Sequence, residues 1–436
     1  MLKYGVSFFA LVVSVFSGIA AGRATEYVWT QDNFTNQHLQ INYGDTLSVN
    51  GVVANGIAGS PYNGGLITNA GTIKEILNST FSNYSVADSY NGGVIYSTSK
   101  DGGQLNQFIK IKNSKFINNS ADKSGGAIGG AVSGEMHIED SLFQGNYTRN
   151  TDIVGGGAIN IGRDHLASDK PFVLYIKNSQ FIDNHSSAEG RGDAVRRAVW
   201  GGGAIRLDSG KVRFSGVNEF RGNWTGQGDA AGGRNRNDIE LAAASATDNV
   251  PWLYVDDGTL ILDGGIRGVR NGDLDGARLN ARVTVENGAT LEARNEGEYT
   301  LIRGVHFVNN GTVKVDTGRS LLFFHNGAAS KIVDGNVEQD SYGRIINNNN
   351  IENNGTVKIG DSILEMTDNA KVTGKGTMIL MAIGDAETEN GQTLAKGEEI
   401  EAELYISGAN AQIENALVNK GKISILADKD LTIGGA

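Results

Sequence analysis

The segment FINNSADKSGGAI (residues 116–128) brings together a phenylalanine, two asparagines and a pair of glycines. The same order of residues, Phe-x-x-Asn followed by Gly-Gly-Ala-Ile, returns twice downstream, with a weaker copy before it and a degenerate copy at the end. The other copies are FSNYSVADSYNGGVI (81–95), FQGNYTRNTDIVGGGAI (143–159), FIDNHSSAEGRGDAVRRAVWGGGAI (181–205) and FRGNWTGQGDAAGG (220–233). A unit that recurs at intervals of roughly 20–50 residues is typical of a repeat array.

Each copy predicts one coil of a β-solenoid. A segment such as IKNSKF (111–116) leads into the phenylalanine with isoleucine alternating with polar residues, as in a short half-buried strand. We expect the phenylalanines to fill the core, the glycine pairs to allow close backbone packing, and equivalent residues of stacked coils to form apolar stacks and amide ladders. The asparagines expected to turn the chain through left-handed backbone angles are Asn118, Asn119, Asn146 and Asn184. Because one copy cannot bury its own apolar face, the array is the folding unit.

The second half of the chain keeps the solenoid pattern with different residues. NNGTVKV (309–315) and NNGTVKI (353–359) predict an Asn-x-Gly turn followed by a short strand with one buried face. The change of pattern in LAAASATDNVP (241–251) predicts a soft boundary. We therefore expect an N-terminal cap and repeat β-helix over 25–240 and a second β-solenoid section over 250–436. At roughly 20–24 residues per coil, the mature chain is expected to form a rod about 80–90 Å long.

Composition bounds the class of protein. The 436 residues include 61 glycines, 3 prolines and no cysteine, and 39% of them are hydrophobic, so the glycines are expected in folded turns rather than in a disordered linker. The formal charge of −11, without a basic cluster, argues against a nucleic-acid partner.

The N-terminus has the features of a secretory signal peptide. Lys3 supplies the positive charge, GVSFFALVVSVFSGIAA (5–21) the apolar core, and the small residues up to Ala24 a cleavage site. We predict a signal peptide over 1–24 and export; the alternative, a membrane anchor, needs a longer apolar run of about 20 residues. No later segment is expected to span a bilayer as a helix.

The paired Phe-x-x-Asn and Gly-Gly-Ala-Ile elements resemble the repeat of the chlamydial polymorphic membrane proteins, and more broadly autotransporter passenger domains. The match covers about 81–233, through Phe116 to Asn119, Phe143 to Asn146, Phe181 to Asn184 and Phe220 to Asn223. The resemblance implies a right-handed parallel β-helix on a bacterial cell surface or released from it, often acting as an adhesin. Those proteins normally end in a transmembrane β-barrel, whereas this sequence ends in LTIGGA with solenoid-like segments. Outer-membrane association is therefore expected only if the chain continues or is anchored in another way.

The repeat varies in length at two places, after the asparagine and after the Gly-Gly-Ala-Ile element. The stretch after the asparagine grows from 120–124 through 147–155 to 185–201. Insertions that recur at one place in a solenoid emerge on one side, which is often the binding side.

The longest insertion contains the tripeptide Arg-Gly-Asp, which matches the integrin-recognition sequence. We predict a candidate partner-binding loop, and the alternative is a solvated loop without a partner. Its residues are Arg191, Gly192, Asp193, Arg196, Arg197 and Trp200. A host-cell receptor, extracellular matrix or a glycan are the candidate partners.

Other candidate chemistry is weaker. Asn271, Asp273 and Asp275 resemble the first half of a calcium loop, but Arg282 stands where the loop needs a glutamate, which favours a plain turn. The doublet Asp256-Asp257 could serve an inverting hydrolase only if the two carboxyl groups stand about 6.5–9.5 Å apart. It leads directly into GTLIL (258–262), which favours an ordinary strand-entry turn. The histidines, among them His137, His165 and His185, show no ligand spacing.

Three classes of function remain from the sequence, and the resemblance together with the clustered insertions favours the first; we do not expect an enzyme. An adhesive cell-surface rod is expected to bind through its inserted loops, without catalytic residues, metal or cofactor. A β-helix polysaccharide lyase or hydrolase is expected to have a carboxylate-lined groove, and a purely structural surface rod is expected to tolerate loop deletion.

Overall fold

The computed structural model describes residues 24–434, apart from 57, 87–89, 99–106, 150–154, 164–171, 188–200, 227–233, 244–250, 271–280, 296–298, 325–331, 334–335, 338–343, 361, 383–385, 390–391 and 397–401. Within these ranges the chain forms β-strands and no helix. Most of the strands belong to three long parallel sheets, which the chain visits in a fixed order in each coil.

Sheet 1 consists of β1 (Glu26–Thr30), β3 (Thr46–Asn50), β6 (Thr72–Leu77), β10 (Lys110–Lys112), β14 (Glu135–Glu139), β18 (Val173–Lys177), β22 (Lys211–Ser215), β27 (Trp252–Val255), β30 (Arg282–Val285), β33 (His306–Asn309), β38 (Arg344–Asn347), β41 (Ile363–Met366), β46 (Glu403–Ile406) and β49 (Lys422–Ile425), with β9 (Gln107–Phe108) beside β6. Sheet 2 consists of β4 (Val53–Asn55), β7 (Thr80–Ser82), β11 (Lys115–Ile117), β15 (Leu142–Gln144), β19 (Gln180–Ile182), β23 (Val217–Arg221), β28 (Thr259–Leu262), β31 (Thr290–Ala293), β34 (Thr312–Val315), β39 (Asn350–Asn353), β42 (Lys371–Thr373), β47 (Ala411–Ile413) and β50 (Leu431–Ile433).

Sheet 3 consists of β2 (Leu39–Ile41), β5 (Ile67–Asn69), β8 (Ile95–Ser97), β13 (Ile128–Val132), β17 (Ile159–Arg163), β21 (Ile205–Leu207), β26 (Ile239–Ala243), β29 (Gly265–Arg270), β32 (Thr300–Arg303), β35 (Ser320–Phe324), β40 (Thr356–Gly360), β43 (Thr377–Leu380) and β48 (Ala416–Asn419). A short sheet lies between sheets 2 and 3 in the repeat region and consists of β12 (Ser120–Ala121), β16 (Tyr147–Thr148), β20 (His185–Ser187), β24 (Trp224–Gly226) and the antiparallel β25 (Arg234–Arg236). Two antiparallel pairs stand apart, β36 (Ile332–Val333) with β37 (Asn336–Val337) and β44 (Ala386–Glu389) with β45 (Gln392–Lys396).

The long sheets form a parallel β-helix, which confirms the predicted fold class. Strands of successive coils pair in parallel and in register, so that Phe143 stands between Phe116 of the preceding coil and Phe181 of the next. Alternate residues of each strand point inward, as the burial of Leu174 and Ile176 in β18 shows. The right-handed sense that the resemblance implies stays a prediction.

The main hydrophobic core runs through the coils, from Ile41 to Ile413, and a second, smaller cluster consists of Tyr299, Leu301, Leu322, Phe324 and Met381. The long sheets also run past the change of sequence pattern at 241–251, because β22 pairs with β27 and β26 pairs with β29. The division into two sections stays a prediction about the sequence.

The predicted rod length was wrong. The fourteen strands along the path of sheet 1, spaced by about 4.8 Å, give a rod about 60 Å long. The reason is the size of the coils: Asn119, Asn146 and Asn184 occupy equivalent places in successive coils but are separated by 27 and 38 residues.

Candidate functional site

The phenylalanines of the repeat form a continuous stack inside the coils. Phe81, Phe116, Phe143, Phe181 and Phe220 follow one another with ring centroids 5.5, 4.9, 5.0 and 4.7 Å apart. The last three pairs are nearly parallel, with interplanar angles of 3°, 5° and 6°. The stack confirms the predicted role of these residues in the core.

The asparagines of the repeat form a buried amide ladder beside this stack. The Nδ2 atoms of Asn119, Asn146 and Asn184 each donate to Oδ1 of the asparagine in the next coil, at 2.9, 3.0 and 3.0 Å, and the last acceptor is Asn223. The same Oδ1 atoms accept backbone N–H groups, and the four residues are fully buried. Satisfied amides of this kind fix the register between coils, because a shifted coil would leave buried polar groups without partners.

The prediction that these asparagines have left-handed backbone angles was wrong for the ladder itself. Asn119, Asn146 and Asn184 do not have positive φ; the residue before each one does. Those residues are Asn118 (φ 54°), Gly145 (φ 63°) and Asp183 (φ 54°). In each coil one residue adopts the left-handed angle of the turn and the next one forms the ladder. The prediction was therefore correct only for Asn118.

The glycine pair returns the chain to sheet 3 in direct contact with the next coil. A Cβ atom on Gly126 would lie 2.3 Å from the carbonyl oxygen of Gly157, and one on Gly157 would lie 2.0 Å from that of Gly203. A side chain therefore does not fit without moving backbone, which explains the second glycine of each pair. The inserted segments leave from the stacked strands of the short sheet and return at stacked glycine pairs, so their ends lie on one side of the rod.

An aromatic column lies where these insertions begin. Tyr147, His185 and Trp224 each follow the ladder asparagine directly and stand opposite one another in the short sheet. Their rings stack with centroids 4.9 and 4.3 Å apart and planes within 2° of parallel. Because the rings cover one another, the column presents mainly ring edges to a partner. The available sequence signal for this column was the aromatic residue after the last three of the four Phe-x-x-Asn elements.

A row of charged residues occupies the neighbouring strands of sheet 3. Arg206, Glu240 and Arg267 stand opposite one another in β21, β26 and β29, and each is at most 3% exposed. Arg206 donates to Glu240 and, through Nε, to Asp208 at 2.7 Å. Burial disfavours the charge of Arg206, but Asp208 and Glu240 outweigh it and raise the pKa of Arg206, which stays cationic.

This row holds the glycine turn in place. Oε2 of Glu240 accepts a hydrogen bond of 2.6 Å from the backbone N–H of Gly201, the residue at which the chain re-enters the described structure after the longest insertion. Within this row, the buried Arg206 forms hydrogen-bonded ion pairs with Asp208 and Glu240, and these pairs position the backbone of the glycine turn. The available sequence signal was a charged or amide residue after the buried isoleucine in four consecutive strands of sheet 3, namely Asn160, Arg206, Glu240 and Arg267.

The predicted binding-loop residues lie outside the described residues. These are Arg191, Gly192, Asp193, Arg196, Arg197 and Trp200, and the same holds for Asn271, Asp273, Asp275 and His165. The assignment of a partner-binding loop stays a prediction.

The other candidates occupy structural positions. Asp256 accepts two hydrogen bonds from Arg213, at 2.6 and 2.8 Å, and Asp257 accepts one from the backbone N–H of Gly216 at 2.9 Å. His137 stacks on Tyr175 with centroids 4.7 Å apart. Both carboxylates of the doublet are therefore engaged in contacts between coils.

A cavity of about 220 Å³ lies near the N-terminal coils, away from the insertions of the repeat region. His38 stacks on Tyr62 at its wall, with centroids 4.3 Å apart, and burial lowers the pKa of His38. Tyr84 donates to Asn36 on the same wall. Ser60, also at the wall, donates to the carbonyl oxygen of Gly65 at 3.2 Å, so these side chains are used within the protein.

The described part of the chain contains no group of three or more His, Cys, Asp or Glu residues placed to hold a metal ion. Among the same residues, no helix has the length and apolar character that crossing a membrane would require.

No protein-family model, curated protein or solved structure matches this chain. The resemblance to the polymorphic membrane proteins therefore rests on the repeat residues themselves.

Proposed function

We propose that this chain is exported and acts at or beyond a bacterial cell surface, where the insertions of its β-helix bind a partner and mediate adhesion or another surface interaction. One observation carries the proposal. The insertions that span 150–154, 188–200 and 227–233 begin after consecutive strands of the short sheet. The first two end at consecutive positions before sheet 3, and the third ends at β25, which pairs with β24 in the short sheet itself. Three insertions from successive coils therefore share one side, as a binding surface on a solenoid requires.

The scaffold below this side suits such a task. The phenylalanine stack, the amide ladder and the buried ion pair of Arg206 with Glu240 fix the ends of the insertions without any disulfide. A rigid support lowers the conformational entropy that ordered loops lose on binding.

The test replaces residues 188–200 by a short Gly-Ser linker in the full chain. Its matched control replaces 164–171, which connects sheet 3 to sheet 1 in the preceding coil. Binding of the purified proteins to cultured epithelial cells and to immobilised matrix proteins is expected to fall about tenfold or more for the first variant only. Equal binding by both variants would contradict the loop proposal and favour a structural rod. Asp193→Glu tests integrin-type recognition within the same loop: unchanged cell binding by this variant would exclude that kind of recognition.

Export is tested separately. Fractionation of the source cells with an antibody to the 188–200 segment is expected to detect a product without residues 1–24, outside the cytoplasm and accessible to protease on intact cells. An uncleaved cytoplasmic product would contradict the proposal, whatever the loop variants do.

A further inference from the structure

The outer face of sheet 1 differs in charge from the rest of the molecule. Five consecutive strands, β18, β22, β27, β30 and β33, contain no aspartate or glutamate, although the whole chain has a formal charge of −11. Their outward side chains include several lysines, arginines and aromatic residues. We call six of these outward residues the cationic face: Tyr175, Lys177, Lys211, Trp252, Tyr254 and Arg282.

Trp252 holds two of these cations in fixed positions. Nζ of Lys211 lies 5.2 Å from the indole centroid, and Cζ of Arg282 lies 5.3 Å from it. The three residues stand opposite one another in β22, β27 and β30, so the cations come from the coils on either side of the tryptophan. A cation–π contact orients a cation without neutralising it.

Beyond the cation–π contacts with Trp252, the described part of the chain offers the charged and hydroxyl groups of this face no partner. Among the described residues, Lys177, Lys211 and Arg282 have no ion-pair partner, and the hydroxyl groups of Tyr175 and Tyr254 have no hydrogen-bond partner. The neighbouring Arg213 behaves differently, since it is paired with Asp256 at 2.6 Å. Burial raises the pKa of the Tyr254 phenol. The carboxylates of Asp256 and of Glu286, which follows β30, act in the same direction, and Arg213 and Arg282 act against them.

We propose that the cationic face binds a linear acidic polysaccharide, whose carboxylate or sulfate groups pair with Lys177, Lys211 and Arg282. The phenol groups of Tyr175 and Tyr254 donate to sugar hydroxyl groups. Lys211, Trp252 and Arg282 form one row along the rod, with the two cations two strand spacings or about 9.6 Å apart, and Tyr175 and Tyr254 lie in an adjacent row. Lys177 lies at the other end of β18, level with Ser215, so an extended anionic chain that contacts all three cations crosses the face obliquely.

Two other kinds of partner fit this face less well. An acidic peptide cannot add as a strand, because these strands already pair on both sides within sheet 1. Single-stranded nucleic acid binds by stacking bases on exposed aromatic faces, and both faces of Trp252 are covered by cations.

The experiment measures binding of the full chain to polygalacturonate, which carries carboxylates only, and to heparin, which also carries sulfates. Lys211→Gln/Arg282→Gln is compared with Lys371→Gln/Lys375→Gln, which removes the same charge from exposed residues away from sheet 1. Loss of two charge-assisted contacts is expected to weaken binding of at least one polysaccharide about tenfold or more, with about twofold change or less in the control. The polysaccharide that responds identifies the anionic group.

Three results would overturn the proposal: binding of neither polysaccharide, equal weakening in both variants, or equally tight binding of a DNA oligonucleotide of similar charge. Lys177→Glu provides an independent check, because Lys177 is exposed; thermal unfolding of the variant controls for the new carboxylate that stands opposite Glu139. This variant is expected to weaken binding at least as much as one of the two neutralising substitutions. The face lies on sheet 1, so failure of this proposal leaves the loop proposal unaffected.

Discussion

Asn223 donates a hydrogen bond of 2.9 Å from its Nδ2 to Oδ1 of Asp238, and this contact ends the buried amide ladder on a carboxylate. An asparagine side chain both donates and accepts, so each one passes the ladder to the next coil. A carboxylate accepts on both oxygens, and Oδ2 of Asp238 takes the backbone N–H groups of Gly264 and Gly265 at 2.8 and 2.9 Å. Asp238 is therefore the terminator at which the repeat pattern changes.

Asp238→Asn tests this terminator. The substituted amide would direct Nδ2 at the two glycine N–H groups if its oxygen keeps the bond from Asn223, so at least one buried donor would lose its acceptor. We expect the free energy of unfolding to fall by about 3 kcal/mol at about pH 5, measured by urea denaturation. An unchanged stability would mean that the ladder continues through residue 238 as an amide.

The pKa of Asp238 predicts how this difference varies with pH. Burial, followed by the charge of Asp263, raises the pKa of Asp238 from 3.8 to about 7, although the N–H donors of Gly265, Asn223 and Gly264 act in the opposite direction. Between these values the folded state binds more protons than the unfolded state, so this contribution to stability is complete below about pH 4 and is lost as the pH rises through about 7. The stability difference between the wild type and Asp238→Asn should shrink by about 1.4 kcal/mol per pH unit in this window. A difference that grows with pH would contradict the raised pKa.

Asn118 and Asn119 are adjacent, yet we expect their substitution to change the free energy of unfolding by very different amounts. Asn119→Ala removes the buried acceptor of the Tyr84 backbone N–H and the donor to the Phe81 carbonyl, and should cost about 2–4 kcal/mol. Asn118→Gly keeps an exposed left-handed position and should change stability by less than about 0.5 kcal/mol. Thermal unfolding of the two variants measures both values, and similar losses would mean that the ladder contributes no more than the turn.

The same pair shows how far the sequence could predict the fold. The repeat of Phe, Asn and Gly-Gly determined the solenoid, the core column and the existence of a ladder, because these follow from residue type and stacking alone. The sequence does not show which of the two adjacent asparagines adopts the left-handed angle. In the next two coils the residues with this angle are Gly145 and Asp183. Only the backbone angles separate the two roles.

Gly126→Ala tests the close contact at the glycine pair. The added methyl group would lie 2.5 Å from the backbone nitrogen of Tyr147 and 2.3 Å from the carbonyl oxygen of Gly157. Both are backbone atoms, so relieving the clash requires a shift of the coil to which each belongs. We expect a loss of about 3 kcal/mol or more. The control is Gly134→Asn, at a position with φ of 75° and no atom within 4 Å of the added Cβ, where less than about 1 kcal/mol is expected. Equal losses would show that backbone conformation, rather than space, selects glycine at both sites.

The aromatic column, the charged row and the cationic face could not be predicted from the sequence as sites. Tyr147 and His185 are 38 residues apart, as are their partners in the ladder, Asn146 and Asn184. Lys211 and Trp252 meet only because 40 residues of chain complete one coil between them. Because the number of residues per coil changes with each insertion, the sequence alone does not show which residues stand side by side; the register of the strands does. The residue types were visible in the sequence, but their neighbours were not.

The buried pair of Arg206 and Glu240 is expected to behave as a coupled unit. Arg206→Met removes the hydrogen-bonded cation of the fully buried Glu240 and leaves only Arg267 of the next coil opposite it, and Glu240→Gln leaves the Arg206 guanidinium with Asp208 as its ion-pair partner. Each change should cost about 3–5 kcal/mol. The double variant should lose less than the sum of the two, by about 1–3 kcal/mol, in urea denaturation. Lys74→Met provides the surface comparison, since the pair of Lys74 with Glu26 is largely exposed and should contribute less than about 1 kcal/mol. Strict additivity of the two substitutions would contradict the coupling and would mean that each side chain stabilises the glycine turn independently.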